Sequence, residues 1–338
     1  FIEHCVFKGT HKRKAFHVLN RLDVVGGELN AYTTKEEVCI YASFLRNHLS
    51  RAAELLQDII FNSNYPEKEV EKEKEIVIDE ILSYKDTPSE QIFDDFESYL
   101  FKGHPLERGI LGTSETVRSF DEKAIRTYWN NMLHPENIVI SVAGNHSVKR
   151  LKNLLSRYFG ELALPGTPQM NNQAVNRTPF HKEFNESQYQ THTIIGGHAF
   201  ALDHEKRRTM VLLNNILGGP SLNARLVLGI REKYGYSYNI ESAYTPYLDA
   251  GIFQIYFGSD PKYVKKTTGL VLKELKKLRE RKLGVLQIHQ AREQLKGQIA
   301  LAQENKSNVM LSIGKSLLAF DKVDDLSVVY EDIDQISA

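Results

Sequence analysis

Cysteine is almost missing from this chain: Cys5 and Cys39 are the only two among 338 residues. That excludes a disulfide framework and makes a reducing compartment the expectation. Long apolar runs are missing as well. No stretch approaches the roughly 20 residues that cross a bilayer as a helix, so no membrane partner is expected. Nor is there an excess of either charge, since Lys+Arg and Asp+Glu both count 43. This removes the basic surface that nucleic-acid binding draws on. No signal-peptide pattern opens the chain at Phe1, and a cytoplasmic location is the expectation that follows. What is present is the composition of a globular protein, with 41% hydrophobic and 25% charged residues. The length suggests about two domains, each able to bury a core.

Residues 1–162 alternate helical and strand patterns. Apolar spacing predicts a helix over Lys12 to Leu22, broken by Gly26-Gly27. Alternating β-branched and aromatic residues predict strand over Glu28 to Phe44. Ala52, Leu55, Leu56, Ile59 and Ile60 share one side of a helix over Leu49 to Phe61. Pro66 stands where a charged helix from Glu67 to Tyr84 would start, and Asn137 to Ala143 reads as a strand. Residues 163–179 are rich in Pro, Asn, Gln and Thr without periodicity, the pattern of a linker. From about Phe180 a second unit runs in the same order of elements, as a degenerate copy would.

Chemistry enters through Glu3-His4. The inverted zinc motif H-x-x-E-H sets two His ligands at i and i+4 on one helical face, with a Glu beside the metal as general base. Here only x-x-E-H is visible, and the first His would stand immediately before Phe1. Taken bare, the pair is a helix with one charged couple. A hydrolytic zinc centre needs three protein ligands and an open position, so another ligand must come from elsewhere. Glu73 and Glu80 are two helical turns apart on one face of the charged helix. Such residues are ordinarily solvated. The apolar neighbours Val77, Ile78 and Ile81 argue instead that Glu80 is a partly buried carboxylate, which a cation would satisfy.

Together these residues resemble the pitrilysin-like (M16-type) zinc metallopeptidases, in particular their two-domain, processing-peptidase-like branch. FIEHCVFKGT is similar to H-F-[LI]-E-H-x-x-F-K-G-T without its first His. VGGELNAYT resembles G-G-x-x-N-A-x-T, and EKEIVIDEILSYKDTP the distal-glutamate helix. GHPLERGILG and NIVISVAGN match later landmarks, and ILGGPSLNARLVLGIREKYGYSYNI resembles a Gly-rich helix with R-x-x-x-G-x-x-Y. The resemblance implies Glu3 as catalytic base and Glu73 as auxiliary catalytic carboxylate. It implies His4 and Glu80 as Zn2+ ligands beside the upstream His. Asn30 and Ala31 would pair with substrate backbone as an edge strand, and Arg231 and Tyr238 would hold the substrate carbonyl and its oxyanion.

The expected fold is α+β: two similar domains, each an antiparallel-rich sheet with helices packed on one face. Residues 1–162 would form the zinc-binding domain, shortened at its start. Residues 180–338 would form a metal-free copy, shortened at its end. The expected activity is zinc-dependent hydrolysis of short or unfolded peptides inside a closed chamber, formed by a homodimer or a paired homologous chain. The competing reading is a non-catalytic partner or scaffold subunit that binds peptide without cleaving it. Cys5 and Cys39 read as small buried hydrophobes rather than metal ligands.

Overall fold

The computed structural model describes residues 1–160, 175, 177–185 and 189–338. The predicted linker 163–179 therefore lies mostly outside the described residues. The chain forms two compact units. The first comprises Phe1–Tyr84, Arg108–Asn171 and Lys306–Asp321, the second Lys85–Glu107, Asn172–Asn305 and Lys322–Ala338. The units are thus not simply the stretches before and after the linker candidate.

In the first unit a short helix α1 (Ile2–Cys5) precedes α2 (Ala15–Asp23). The strands β1 (Glu28–Thr33) and β2 (Val38–Ser43) follow, then α3 (Leu49–Phe61) and α4 (Glu67–Lys85). Gly26 adopts φ +71, a left-handed turn open to glycine without strain. The Gly27 N–H then closes on Leu22 O at 3.0 Å. This turn aims the chain into β1, which pairs antiparallel with β2 from Glu28↔Ser43 to Thr33↔Val38. A lone hairpin is marginal in water. Here Leu29, Ile40, Ala42 and Phe44 pack on Val18, Leu22, Ala52, Leu55 and Ile59 of α2 and α3. The α3 boundaries match the amphipathic pattern, and α2 begins at Ala15, after Lys14 in extended conformation.

The apolar face of α4 buries Val70, Val77, Ile78 and Ile81, while Ile76 points outward and is exposed. Val70 joins Cys5, Val6 and Trp129, and Trp129 Nε1 donates to Ile60 O at 2.7 Å. This cluster seats α1 against α4. Trp129 belongs to α7 (Glu122–Met132). The strand expected over Asn137–Ala143 is not formed. Ile138 has extended backbone, but no neighbouring strand pairs with the segment among the described residues. A β pattern without a ladder partner remains irregular chain, held here by Ser141 Oγ donating to Met310 O at 2.8 Å.

The second unit centres on an antiparallel sheet in the order β3-β5-β4: β3 (Thr191–His198), β4 (Asn239–Pro246) and β5 (Gly251–Ser259). The central β5 is buried along nearly its whole length, as a strand covered on both faces must be. One face carries Ile240, Ile255 and Phe257 against Leu217, Leu226 and Val271, from α9 (Arg207–Gly218), the turn after it, and α10 (Val264–Glu280). The other face meets α5 (Pro88–Leu100) through Phe93 on Tyr256, with ring centroids 5.1 Å apart. A π-helical turn at Val227–Glu232, the hairpin, α10 and a long α11 (Val285–Ala302) repeat the order of α2, hairpin, α3 and α4. The antiparallel sheets with packed helices, in two similar units, are the α+β architecture expected.

Candidate metal centre

The first unit gathers Glu3, His4, Lys8, Thr33, Glu73 and Glu80. His4 is the hub. Its Nδ1 stands 3.1 Å from Glu73 Oε2, and its Nε2 stands 3.6 Å from Glu80 Oε2. A carboxylate beside Nδ1 makes that nitrogen the donor and leaves the Nε2 lone pair for another partner. The second oxygen of Glu73 meets Lys8 Nζ at 2.7 Å. Glu73 is only 4% exposed at its side chain, so both of its oxygens need such partners. The two glutamates come from one rim of α4, two turns apart, as the spacing predicts.

The exposure of Glu80 departs from expectation. Glu80 is the open one, 49% exposed at its side chain, and Glu73 is the buried one. Val77, Ile78 and Ile81 face inward from α4, and Glu80 lies at the edge of that face rather than within it. Glu3, next to His4 on α1, points elsewhere: its Oε2 accepts from Thr33 Oγ1 at 2.5 Å. Neighbouring helical residues diverge by about 100°, so the Glu and the His take different partners.

Zinc can be tested against these atoms. Metal–ligand distances of about 2.0–2.2 Å put two tetrahedral ligands about 3.4 Å apart. The 3.6 Å between His4 Nε2 and Glu80 Oε2 fits two corners of such a site, with Glu73 behind the imidazole. Among the described residues no group of three or more His, Cys, Asp or Glu is placed to hold a metal ion. The pair alone is short of a complete ligand set.

Cys5 does not join this set. It is buried, and burial pushes its thiol up to about 12. Cys39 is half-buried, and burial raises its thiol too, with Tyr32 hydrogen bonding opposing the shift. Both behave as packing residues.

Asn30 and Ala31 lie in β1 opposite Tyr41 and Ile40. Among the described residues β1 has β2 as its single ladder neighbour. The Ala31 N–H donates to Asn30 Oδ1 at 2.8 Å. Arg231 and Tyr238 belong to the second unit. Arg231 lies in the last part of the π-helical turn and pairs with Glu232 at 2.9 Å. Gly235, at φ +62, then turns the chain, and Tyr238 stands 68% exposed at the entrance to β4.

A family model described as "Insulinase (Peptidase family M16)" matches residues 1–114, and one described as "Peptidase M16 inactive domain" matches residues 119–295. This chain belongs to peptidase family M16. The M16 relatives include "Uncharacterized zinc protease YmxG" of Bacillus subtilis (strain 168), 31% identical over 340 residues, covering 100% of this chain and 82% of that protein. "Uncharacterized zinc protease SCO5738" of Streptomyces coelicolor is 32% identical over 336 residues, covering 96% of this chain and 73% of that protein. A crystal structure of a protease from Helicobacter pylori shares the M16 fold with a TM-score of 0.87 at 18% identity, covering 99% of this chain and 83% of that one. The pitrilysin-like resemblance read from FIEHCVFKGT and its companions is thereby borne out.

Lys8 and Thr33 are the two site residues that spacing did not single out. Both sit inside motif segments, FKGT and LNAYT, but a lone Lys or Thr carries no ligand spacing to flag it. Glu73 offers a direct test of the arrangement behind the imidazole. Glu73→Gln in the full-length protein is expected to weaken zinc affinity about 10–100-fold, read by chelator competition. Unchanged affinity would mean that Glu73 does not orient His4.

Proposed function

We propose that this M16 chain is a zinc-dependent endopeptidase that cleaves short or unfolded peptides. The observation that carries the reading is the His4 Nε2–Glu80 Oε2 separation of 3.6 Å, with Glu73 3.1 Å from the other nitrogen of the same ring. His4, Glu80 and the His expected before Phe1 would hold the ion. When bound, zinc supplies Lewis-acid polarisation of the scissile carbonyl and acidification of water. Glu3 takes the proton of the attacking water and returns it to the leaving amine. Glu73 and Lys8 hold the His4 ring in its donor–acceptor orientation.

Substrate would add to β1 as an extra strand, an arrangement that reads backbone rather than sequence. An incoming peptide carbonyl would displace Asn30 Oδ1 from the Ala31 N–H. Arg231 and Tyr238 would bind the substrate carbonyl as its oxygen becomes anionic. A homodimer or paired homologous chain would enclose the reaction, and a cytoplasmic setting suits the two thiols.

The test is zinc quantification and peptide cleavage with the full-length protein. Chelation is expected to abolish cleavage and added Zn2+ to restore it; cleavage that survives metal removal would end this reading. The "inactive domain" model over residues 119–295 keeps the second reading in view, a non-catalytic partner or scaffold subunit that binds peptide without hydrolysis. The residue before Phe1 separates the two: a His supports the peptidase, and a residue that cannot bind metal supports the scaffold.

A further inference from the structure

Glu3 lies on α1, but the contact that directs its side chain comes from another element. What holds the carboxylate is Thr33, whose hydroxyl donates to Glu3 Oε2 at 2.5 Å. A hydroxyl donating to an ionised carboxylate makes a charge-assisted bond, stronger than one between neutral groups.

Thr33 is itself anchored. It is β-branched, so its χ1 is stiff, and it pairs with Val38 at the end of the hairpin. The turn beyond it is closed by the Thr34 N–H donating to Glu37 O at 2.8 Å, with Thr34 Oγ1 accepting from the Glu36 and Glu37 amides. Glu37 in turn is paired with Lys315 Nζ at 2.6 Å. The hydroxyl therefore projects from a fixed point. With Oε2 engaged, Oε1 is the oxygen left to take a proton.

We propose that Thr33 is the positioning residue for the general base, and that through it β1 sets both where the peptide lies and where the base points. Asn30 and Ala31 of the same strand are the residues read above as the peptide-docking edge. A peptide paired on β1 is then in fixed register with the carboxylate that must reach its attacking water. This inference rests on the peptidase reading and adds a residue to it.

The test uses the full-length protein with its zinc and a quenched fluorescent peptide. Thr33→Val keeps shape and strand propensity but removes the hydroxyl. It is expected to lower kcat about tenfold or more, with KM within about twofold of wild type and zinc content unchanged. Thr33→Ser, which restores the hydroxyl, is expected to recover most of kcat. A Thr33→Val enzyme with wild-type kcat, beside an inactive Glu3→Gln enzyme, would overturn the inference and leave the peptidase reading intact. Equal losses in kcat and KM that Ser does not rescue would also overturn it, because they would mark Thr33 as a strand residue only. A measurement independent of activity is a denaturant-unfolding cycle of Thr33→Val, Glu3→Ala and the double variant. A coupling of about tenfold in the unfolding equilibrium constant is expected for a bond to a charged acceptor. Additive effects would refute the inference even if no peptide substrate were found.

Discussion

Glu3→Gln is expected to lower peptide hydrolysis by about 10²–10⁴-fold while leaving zinc content, peptide binding and thermal stability close to wild type. Glutamine is the same size as glutamate and still offers an oxygen to the Thr33 hydroxyl, which the wild-type carboxylate accepts at 2.5 Å. What it lacks is a basic oxygen to take the proton of water. The neighbouring His4 keeps its separate contacts with Glu73 and Glu80, so metal retention is not at stake. Kinetics with a peptide substrate and zinc quantification on the same preparations check both halves of the prediction. A variant that cleaves at the wild-type rate would remove Glu3 from the chemistry. Equal inactivity of wild type and variant, with peptide still bound, would favour the scaffold reading.

The second large effect concerns Asp58, far from any reacting atom. Its side chain is fully buried and accepts from Thr10 Oγ1 at 2.8 Å, Asn62 Nδ2 at 3.1 Å and the Arg13 guanidinium. Arg13 also grips Glu54 with Nη2, at 2.6 and 2.8 Å to its two oxygens. Asp58→Ala is therefore expected to cost about 3 kcal/mol, because it leaves the buried Thr10 hydroxyl and the Asn62 amide without their acceptor and takes from Arg13 one of its two carboxylates. In a chain of this size that is a fall in Tm on the order of 10 °C, readable by calorimetry or circular dichroism. A fall of less than about 2 °C would show that the network does not stabilise the fold as its geometry indicates. The effect is expected to reach the candidate metal centre. Thr10 and Arg13 border the tight turn that follows Lys8, bridged from Gly9 to Lys14 and from Thr10 to Ser63. Loosening it loosens the chain that carries His4 and Lys8.

Local patterns were legible in the sequence where one physical rule dominates. The Leu49–Phe61 helix, the break at Gly26 and the two glutamates on one rim of α4 follow from periodicity and backbone freedom alone. Asn137–Ala143 was not legible, because a strand is defined by its partner and nothing in seven residues says whether one is present. Glu80 was read as partly buried and is exposed, for a related reason. Apolar sequence neighbours show that a helix face is buried, but not which side of a rim residue the neighbouring elements cover. The Arg13–Asp58–Glu54 network and the Thr33–Glu3 bond join residues tens of positions apart, and no spacing rule connects them. The candidate site residues stood out as a set only through the likeness of whole segments.

The bond from the Ala31 N–H to Asn30 Oδ1 has a consequence for behaviour in a crowded solution. A strand edge with bare amides invites the edges of other chains and so promotes aggregation. By satisfying its own amide with an adjacent side chain, β1 makes each newcomer compete for that place. An extended chain that offers a full row of hydrogen bonds can win the exchange, whereas a chance encounter offering one cannot. The same asparagine would thus keep the strand quiet until a suitable chain arrives.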